Sequence, residues 1–117
     1  MSPKDVVDEW LRAFNRGDAD AMVALYADDA IHISPKLRSA QPATDGRLVG
    51  KAAMRQWWLD AFERLPGIRY ELVNLISDDG FAVIEYLRHR PGEATMAVAE
   101  VFEIHEGKIV RSHVYHG

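Results

Sequence analysis

Apolar and polar positions follow two periods along this chain, and the change between them divides it near Gly67. Val7, Trp10, Leu11 and Phe14 recur at i, i+3, i+4 and i+7, which is one stripe of a helix. Ahead of them Ser2-Pro3-Lys4-Asp5 supplies a capping hydroxyl, a first-turn proline and an acid at the third position. Asn15-Arg16-Gly17 ends this helix, and Asp18 caps a shorter one with Met22, Leu25 and Tyr26 facing inward. Asp28-Asp29 then turns the chain into a strand, Ala30–Ser34. A third helix runs from Lys51 to Leu65, burying Met54, Trp57, Trp58, Ala61, Phe62 and Leu65, and stops at Pro66-Gly67. Between them, Pro35 to Val49 carries Pro35, Pro42 and Gly46 and reads as a long irregular segment, of the kind that forms lids and binding loops.

Beyond Gly67 the period is that of strands, over 68–77, 80–90, 94–105 and 108–116. Asp78-Asp79-Gly80, Pro91-Gly92-Glu93 and Glu106-Gly107 form the turns. Helices first and antiparallel strands after predict an α+β fold, a curved sheet wrapped by three N-terminal helices in one domain spanning residues 1–117. The helices cover one sheet face. Ala82, Ile84, Tyr86, Ala97, Ala99, Val101, Ile109 and Tyr115 are expected on the other, where a second copy would cover them in a homodimer.

Composition narrows the partners. A net charge of −4, with no Lys/Arg stripe, argues against nucleic acid or an anionic membrane. No apolar run approaches the roughly 20 residues of a membrane span, and no signal peptide is visible, so a cytoplasmic location is expected. The absence of cysteine removes disulfides, thiolate catalysis and cysteine-bound metal centres. Gly46-Arg-Leu-Val-Gly50-Lys51 has neither the glycine spacing nor the Ser/Thr of a phosphate loop.

The chemistry begins at Glu100. In Val98-Ala-Glu-Val-Phe-Glu-Ile104, the strand period puts Glu100 on one face with Val98, Phe102 and Ile104, directed into the core. Burial disfavours the charged form of a carboxyl group and raises its pKa, which is one way to make an acid that works at neutral pH. Alternatively, Glu100 is a structural group that pairs with an arginine or reaches water.

The chain resembles the nuclear transport factor 2-like superfamily, which includes SnoaL-like polyketide cyclases and ketosteroid isomerases. The resemblance rests on Asn15-Arg-Gly-Asp-Ala-Asp-Ala-Met-Val-Ala-Leu-Tyr-Ala-Asp-Asp-Ala30, the Gly50-Lys51 helix start, and Glu100-Val-Phe-Glu-Ile-His-Glu-Gly-Lys-Ile109. It implies a cone-like fold around one apolar pocket and dimerisation through the outer sheet face; it does not imply a metal, and no cofactor is expected. It also implies that Glu100 stands where ketosteroid isomerases hold a protonated Asp as donor to the substrate oxygen. Trp10 falls at their oxyanion-hole Tyr, and Tyr26 and Trp58 fall at supporting aromatic positions. Ser34 replaces the general-base Asp, which argues against ketosteroid isomerase activity proper.

Alternation extends the constellation. If Ser34 faces inward, so does His32. Val114 and His116 share the inner face of the last strand, and Val83, Glu85 and Leu87 are expected inward on the strand before Glu100. His32, Glu85, Glu100 and His116 are therefore expected to line a cavity walled by Trp10, Tyr26, Trp57 or Trp58, Phe62 and Phe102. His32 is either a general base or a core histidine bonded to backbone. Glu85 is either a second carboxyl beside Glu100 or a rim residue paired with Arg47. His116 is a second candidate base near the C-terminal end of the chain.

Three functions follow as expectations. The first is a cofactor-independent enzyme that moves a proton on a hydrophobic, carbonyl-bearing molecule, as an isomerase or an aldol-type cyclase or dehydratase. The second is a non-catalytic pocket or dimerisation domain. The third is an epoxide-type hydrolase, as in limonene epoxide hydrolase relatives, although their Asp–Arg–Asp arrangement cannot be assembled from these residues.

Overall fold

The computed structural model describes residues 1–116. Helix α1 spans Pro3–Asn15, and a capping box starts it: the Ser2 hydroxyl accepts from the Asp5 amide while the Asp5 carboxylate accepts from the Ser2 amide. Its buried stripe is Val6, Val7, Trp10, Leu11, Ala13 and Phe14. Helix α2 (Ala19–Val23) is capped by Asp18, and strand β1 (Tyr26–Ile33) follows.

The segment expected to be irregular is largely ordered. Pro35–Ala40 forms α3, Pro42–Thr44 a 3-10 turn, and Arg47–Val49 the short strand β2. The signal for α3 lies in Ser34-Pro35, the same cap-and-proline start as Ser2-Pro3: the Ser34 hydroxyl accepts from the Lys36 amide at 3.2 Å. Helix α4 (Lys51–Arg64) then packs on α2, β1 and β2. Strands β3 (Arg69–Ser77), β4 (Phe81–His89), β5 (Met96–His105) and β6 (Lys108–His116) complete a six-stranded sheet.

The sheet order is β2-β1-β6-β5-β4-β3. All neighbours are antiparallel except β1 and β6, which run parallel and bring the N-terminal half of the chain onto the middle of the sheet. The sheet is curved and unclosed, with the helices over its concave face, so the architecture is α+β as expected.

Two strands depart from the expected phase. On β4, Ala82, Ile84 and Tyr86 are buried on the concave face, and Val83, Glu85 and Leu87 point outward. Both parities of this strand carry apolar residues, so alternation alone cannot orient it. The His89–Thr95 connection orients it by pairing Arg88 with Met96 and Ile84 with Glu100. On β6, Ile109 is buried rather than outward. Glu103 pairs with Arg111 and Ile104 with Ile109, so Val110 is bulged out of the ladder and the parity reverses there. The outer face keeps an apolar stripe nonetheless: Ile76, Val83 and Val101 lie in one cross-strand row, Ala99 and Tyr115 in the next.

Candidate functional site

The concave face and the helices enclose a cavity of about 360 Å³ that opens beside α3 and the end of α4. Its wall is mainly apolar and rich in aromatic rings, with Trp10 and Phe14 from α1, Trp57 and Trp58 from α4, and Tyr70 and Tyr86 from the sheet. Trp10, Trp57 and Trp58 are all three tryptophans of the chain. Trp10 stacks on Phe14 at 5.9 Å, and Phe14 on Tyr70 at 3.7 Å, which helps to fix the ring planes.

Glu100 lies in this wall and is 1% exposed. Strand pairing sets it opposite Ile84 on one side and Val114 on the other, so its lateral neighbours are apolar. Tyr86 donates its hydroxyl to Oε1 at 2.9 Å. Oε2 has no hydrogen-bond partner, and among the described residues no other buried side-chain polar atom is left without one. Burial raises the Glu100 pKa to about 8, partly countered by the Tyr86 hydrogen bond. The group is thus a neutral acid at pH 7, with a proton to place on Oε2. Neither an arginine nor Glu85 touches it. Burial and the Glu100 carboxyl together push the phenols of Tyr70 and Tyr86 upward, so both stay protonated.

A second polar chain reaches the cavity from behind. Trp10 Nε1 donates to the Tyr26 hydroxyl at 3.2 Å, Tyr26 meets Ser112 Oγ at 2.9 Å, and Ser112 meets His32 Nδ1 at 2.8 Å. An indole N–H can only donate. Tyr26 therefore accepts from Trp10 and gives its own hydrogen to Ser112, which gives its hydrogen to His32 Nδ1. This polarity pairs every hydrogen from Trp10 to Nδ1, and it assigns the remaining imidazole hydrogen to Nε2 of His32, a residue that lines the cavity. Burial pulls the His32 pKa down to about 4, with His113 adding to the effect, so the ring is neutral at pH 7.

The other expected residues divide clearly. Trp10, His32, Ser34, Trp58, Glu100, Val114 and His116 line the cavity. Tyr26 sits behind the wall as a link in the polar chain, and Phe102 is fully buried against Trp10 at 5.1 Å. Phe62 packs on Phe14 at 5.2 Å, outside the lining. Glu85 is on the outer face, exposed, where Asn74 donates to it at 2.9 Å, so it pairs with neither Glu100 nor Arg47. Its placement follows from the β4 phase described above.

The sequence reading missed Tyr86, Tyr70, Ser112 and Arg88. Tyr86 and Arg88 were lost with the phase of β4. Ser112 shares the parity of Val114 and His116 but carries no signal of its contacts, because its partners lie 80 and 86 residues away in sequence. His116 pairs with Val98, one inward position from Glu100 along β5. Its pKa is lowered by burial first, then by Lys36 and Arg88. Among the described residues no three His, Asp or Glu side chains gather as a metal site would require.

Residues 7–112 match the family described as the SnoaL-like domain. Solved structures share the fold across nearly the whole chain. A SnoaL-like protein of unknown function from Burkholderia thailandensis superposes with a TM-score of 0.85 at 24% identity, covering 98% of this chain and 94% of that one. A candidate polyketide cyclase from Sinorhizobium meliloti superposes at 0.79 and 22% identity, covering 95% and 94%. A protein from Sphaerobacter thermophilus superposes at 0.83 and 19% identity, covering 100% and 97%. Among proteins of curated function, none matches this chain.

Proposed function

The chain belongs to the SnoaL-like domain family, and from that premise we propose that it is a cofactor-independent enzyme moving a proton on a hydrophobic carbonyl compound. One observation carries the proposal: a fully buried carboxyl group, protonated at neutral pH, with one oxygen unpartnered in the wall of an aromatic cavity. Glu100 donates from Oε2 to the substrate carbonyl oxygen. His32, whose hydrogen is held on Nε2 by the Ser112 contact, is a second neutral donor for the same developing oxyanion. His32 thereby serves as a donor rather than the base expected from the sequence, since a ring with its pKa near 4 takes up a proton poorly.

The base is His116. Its pKa lies below the ordinary imidazole value, so at pH 7 it is neutral and able to accept a proton from the carbon next to the carbonyl. The resulting enolate is either reprotonated at another carbon, which is isomerisation, or attacks a second carbonyl, which is aldol-type cyclisation. The family and the Sinorhizobium meliloti neighbour favour cyclisation. Ser34 takes no part as a base because its hydroxyl caps α3. Two copies are proposed to pair through the outer apolar face around Val83, Val101 and Tyr115.

Screening a library of apolar ketones and polyketide-like diketones for substrate loss tests the chemistry. Replacing Glu100 by glutamine should cost about two orders of magnitude or more in rate. Undiminished turnover by that variant would sink the mechanism. If neither form turns over any compound while both bind apolar ligands, the protein is a binding domain of the same fold.

A further inference from the structure

Arg88 is an unusual residue to find in this cavity. It points inward on β4 two positions beyond Tyr86, and it is 6% exposed. Its one hydrogen bond among the described residues runs from Nη1 to Glu93 Oε2 at a long 3.5 Å. That same oxygen accepts from Arg90 at 3.0 Å, and the Arg90 contact is the first cause holding the Glu93 pKa low. Glu93 is therefore chiefly the partner of Arg90. Arg88 forms part of the cavity lining, and its remaining N–H groups carry no hydrogen bond among the described residues while staying accessible. A guanidinium so placed, with one long contact to a carboxylate it shares, is free to take a counter-charge from outside the chain.

The surroundings point the same way. Lys36, in the first turn of α3, and Arg64, at the end of α4, lie on the same cavity wall. Three permanent cations thus meet one ionised carboxylate, Glu93, around a single cavity, whereas the chain as a whole carries −4. His116 stands at this corner, within the fields of Lys36 and Arg88. Local charge runs against overall charge here, and the cationic groups surround an aromatic chamber.

The geometry points to a substrate that is an apolar carboxylic acid, its carboxylate held by the Arg88 fork at the mouth and its carbonyl oxygen directed to Glu100. A guanidinium matches a carboxylate with two parallel hydrogen bonds, and Lys36 adds a mobile point charge beside it. Arg88 lies four residues along β4 from Ile84, the partner of Glu100, which is roughly 13 Å of strand. The two polar ends of the ligand are thus separated by an apolar body, which the tryptophans enclose. This assignment rests on the proposed use of the cavity as the substrate site, but binding of the acid does not require turnover.

Because all three tryptophans line the cavity, their fluorescence reports its occupation. Phenylbutyrate and decanoate would each be titrated beside the amide of the same skeleton, with wild-type protein, Arg88→Gln and Glu100→Gln. An Arg88→Met form serves if the glutamine variant does not fold. Each acid should bind about tenfold tighter than its amide in the wild type, the scale of one charge-assisted hydrogen bond. The Arg88 variant should lose that preference and the Glu100 variant should keep it. Equal affinity of acid and amide, a preference unchanged in the Arg88 variant, or no quenching by either acid would each overturn the assignment. Failure of the catalytic proposal looks different: intact acid preference with no turnover by wild-type protein.

Discussion

Replacing Glu100 by glutamine removes one ionisation while keeping the shape of the side chain and an oxygen for the Tyr86 hydroxyl. The consequence for stability can be worked from the structure. Each pH unit between folded and unfolded pKa values corresponds to about 1.36 kcal/mol. Glu100 is shifted from 4.5 to about 8, which amounts to roughly 5 kcal/mol. The folded state holds the proton more tightly than the unfolded state, so this contribution is fully present below pH 4.5 and is lost as pH rises toward 8. A domain of this size has a total stability of about 5–15 kcal/mol, so the loss would be conspicuous.

His32 acts in the opposite direction. Its pKa falls from 6.5 to about 4, so the folded state holds its proton less tightly and stability rises with pH across that interval. The two slopes largely cancel between pH 4.5 and 6.5, and above 6.5 the Glu100 slope stands alone. Urea denaturation of wild-type protein and Glu100→Gln at a series of pH values from 5 to 9 separates them, because both proteins share His32. The wild type should lose several kcal/mol relative to the variant across this range. Two parallel curves would refute the reasoning, since Glu100 would then titrate as a solvated carboxyl group.

The remaining expectations concern single contacts. Tyr86→Phe leaves Glu100 Oε1 without its donor; it should cost about 1–3 kcal/mol and push the Glu100 pKa higher still, read by carbon NMR of the labelled carboxyl. Ser112→Ala interrupts the chain from Trp10 to His32; nitrogen NMR should show the imidazole hydrogen fixed on Nε2 in the wild type and shared between both nitrogens in the variant. His116→Gln should abolish turnover, and in the wild type the rate should fall on the acid side below the ordinary histidine pKa and on the basic side as Glu100 ionises near pH 8. Val83→Lys with Val101→Lys should leave the cavity intact and yield a monomer by sedimentation equilibrium, against a dimer for the wild type.

Much of this protein was readable from residue order because local rules decide it. The α1 stripe and its Ser2-Pro3 cap, the α4 stripe, and the turns at Asp78-Asp79-Gly80 and Glu106-Gly107 need only neighbours in sequence. The inward direction of Glu100 needed only the parity of its own strand, since Val98, Phe102 and Ile104 leave one parity plainly apolar. The helix at Pro35 was equally legible from Ser34-Pro35, but the prolines and glycine that follow it pointed to a loop.

Tertiary structure decided what depends on how strands meet. The phase of β4 is set by its pairing across the His89–Thr95 connection, and that pairing exchanged Glu85 for Tyr86 as the neighbour of Glu100 and brought Arg88 into the cavity. The bulge at Val110 reversed Ile109. The parallel pairing of β1 with β6 joined Tyr26 and His32 to Ser112, and so set which nitrogen of His32 carries hydrogen. A side chain's face is a local property of its strand when one parity is apolar; its partners are a property of register, which only the folded sheet defines. Glu100 could thus be found from the sequence as a buried acid, while the phenol that touches it, and the cation that shares its cavity, could not.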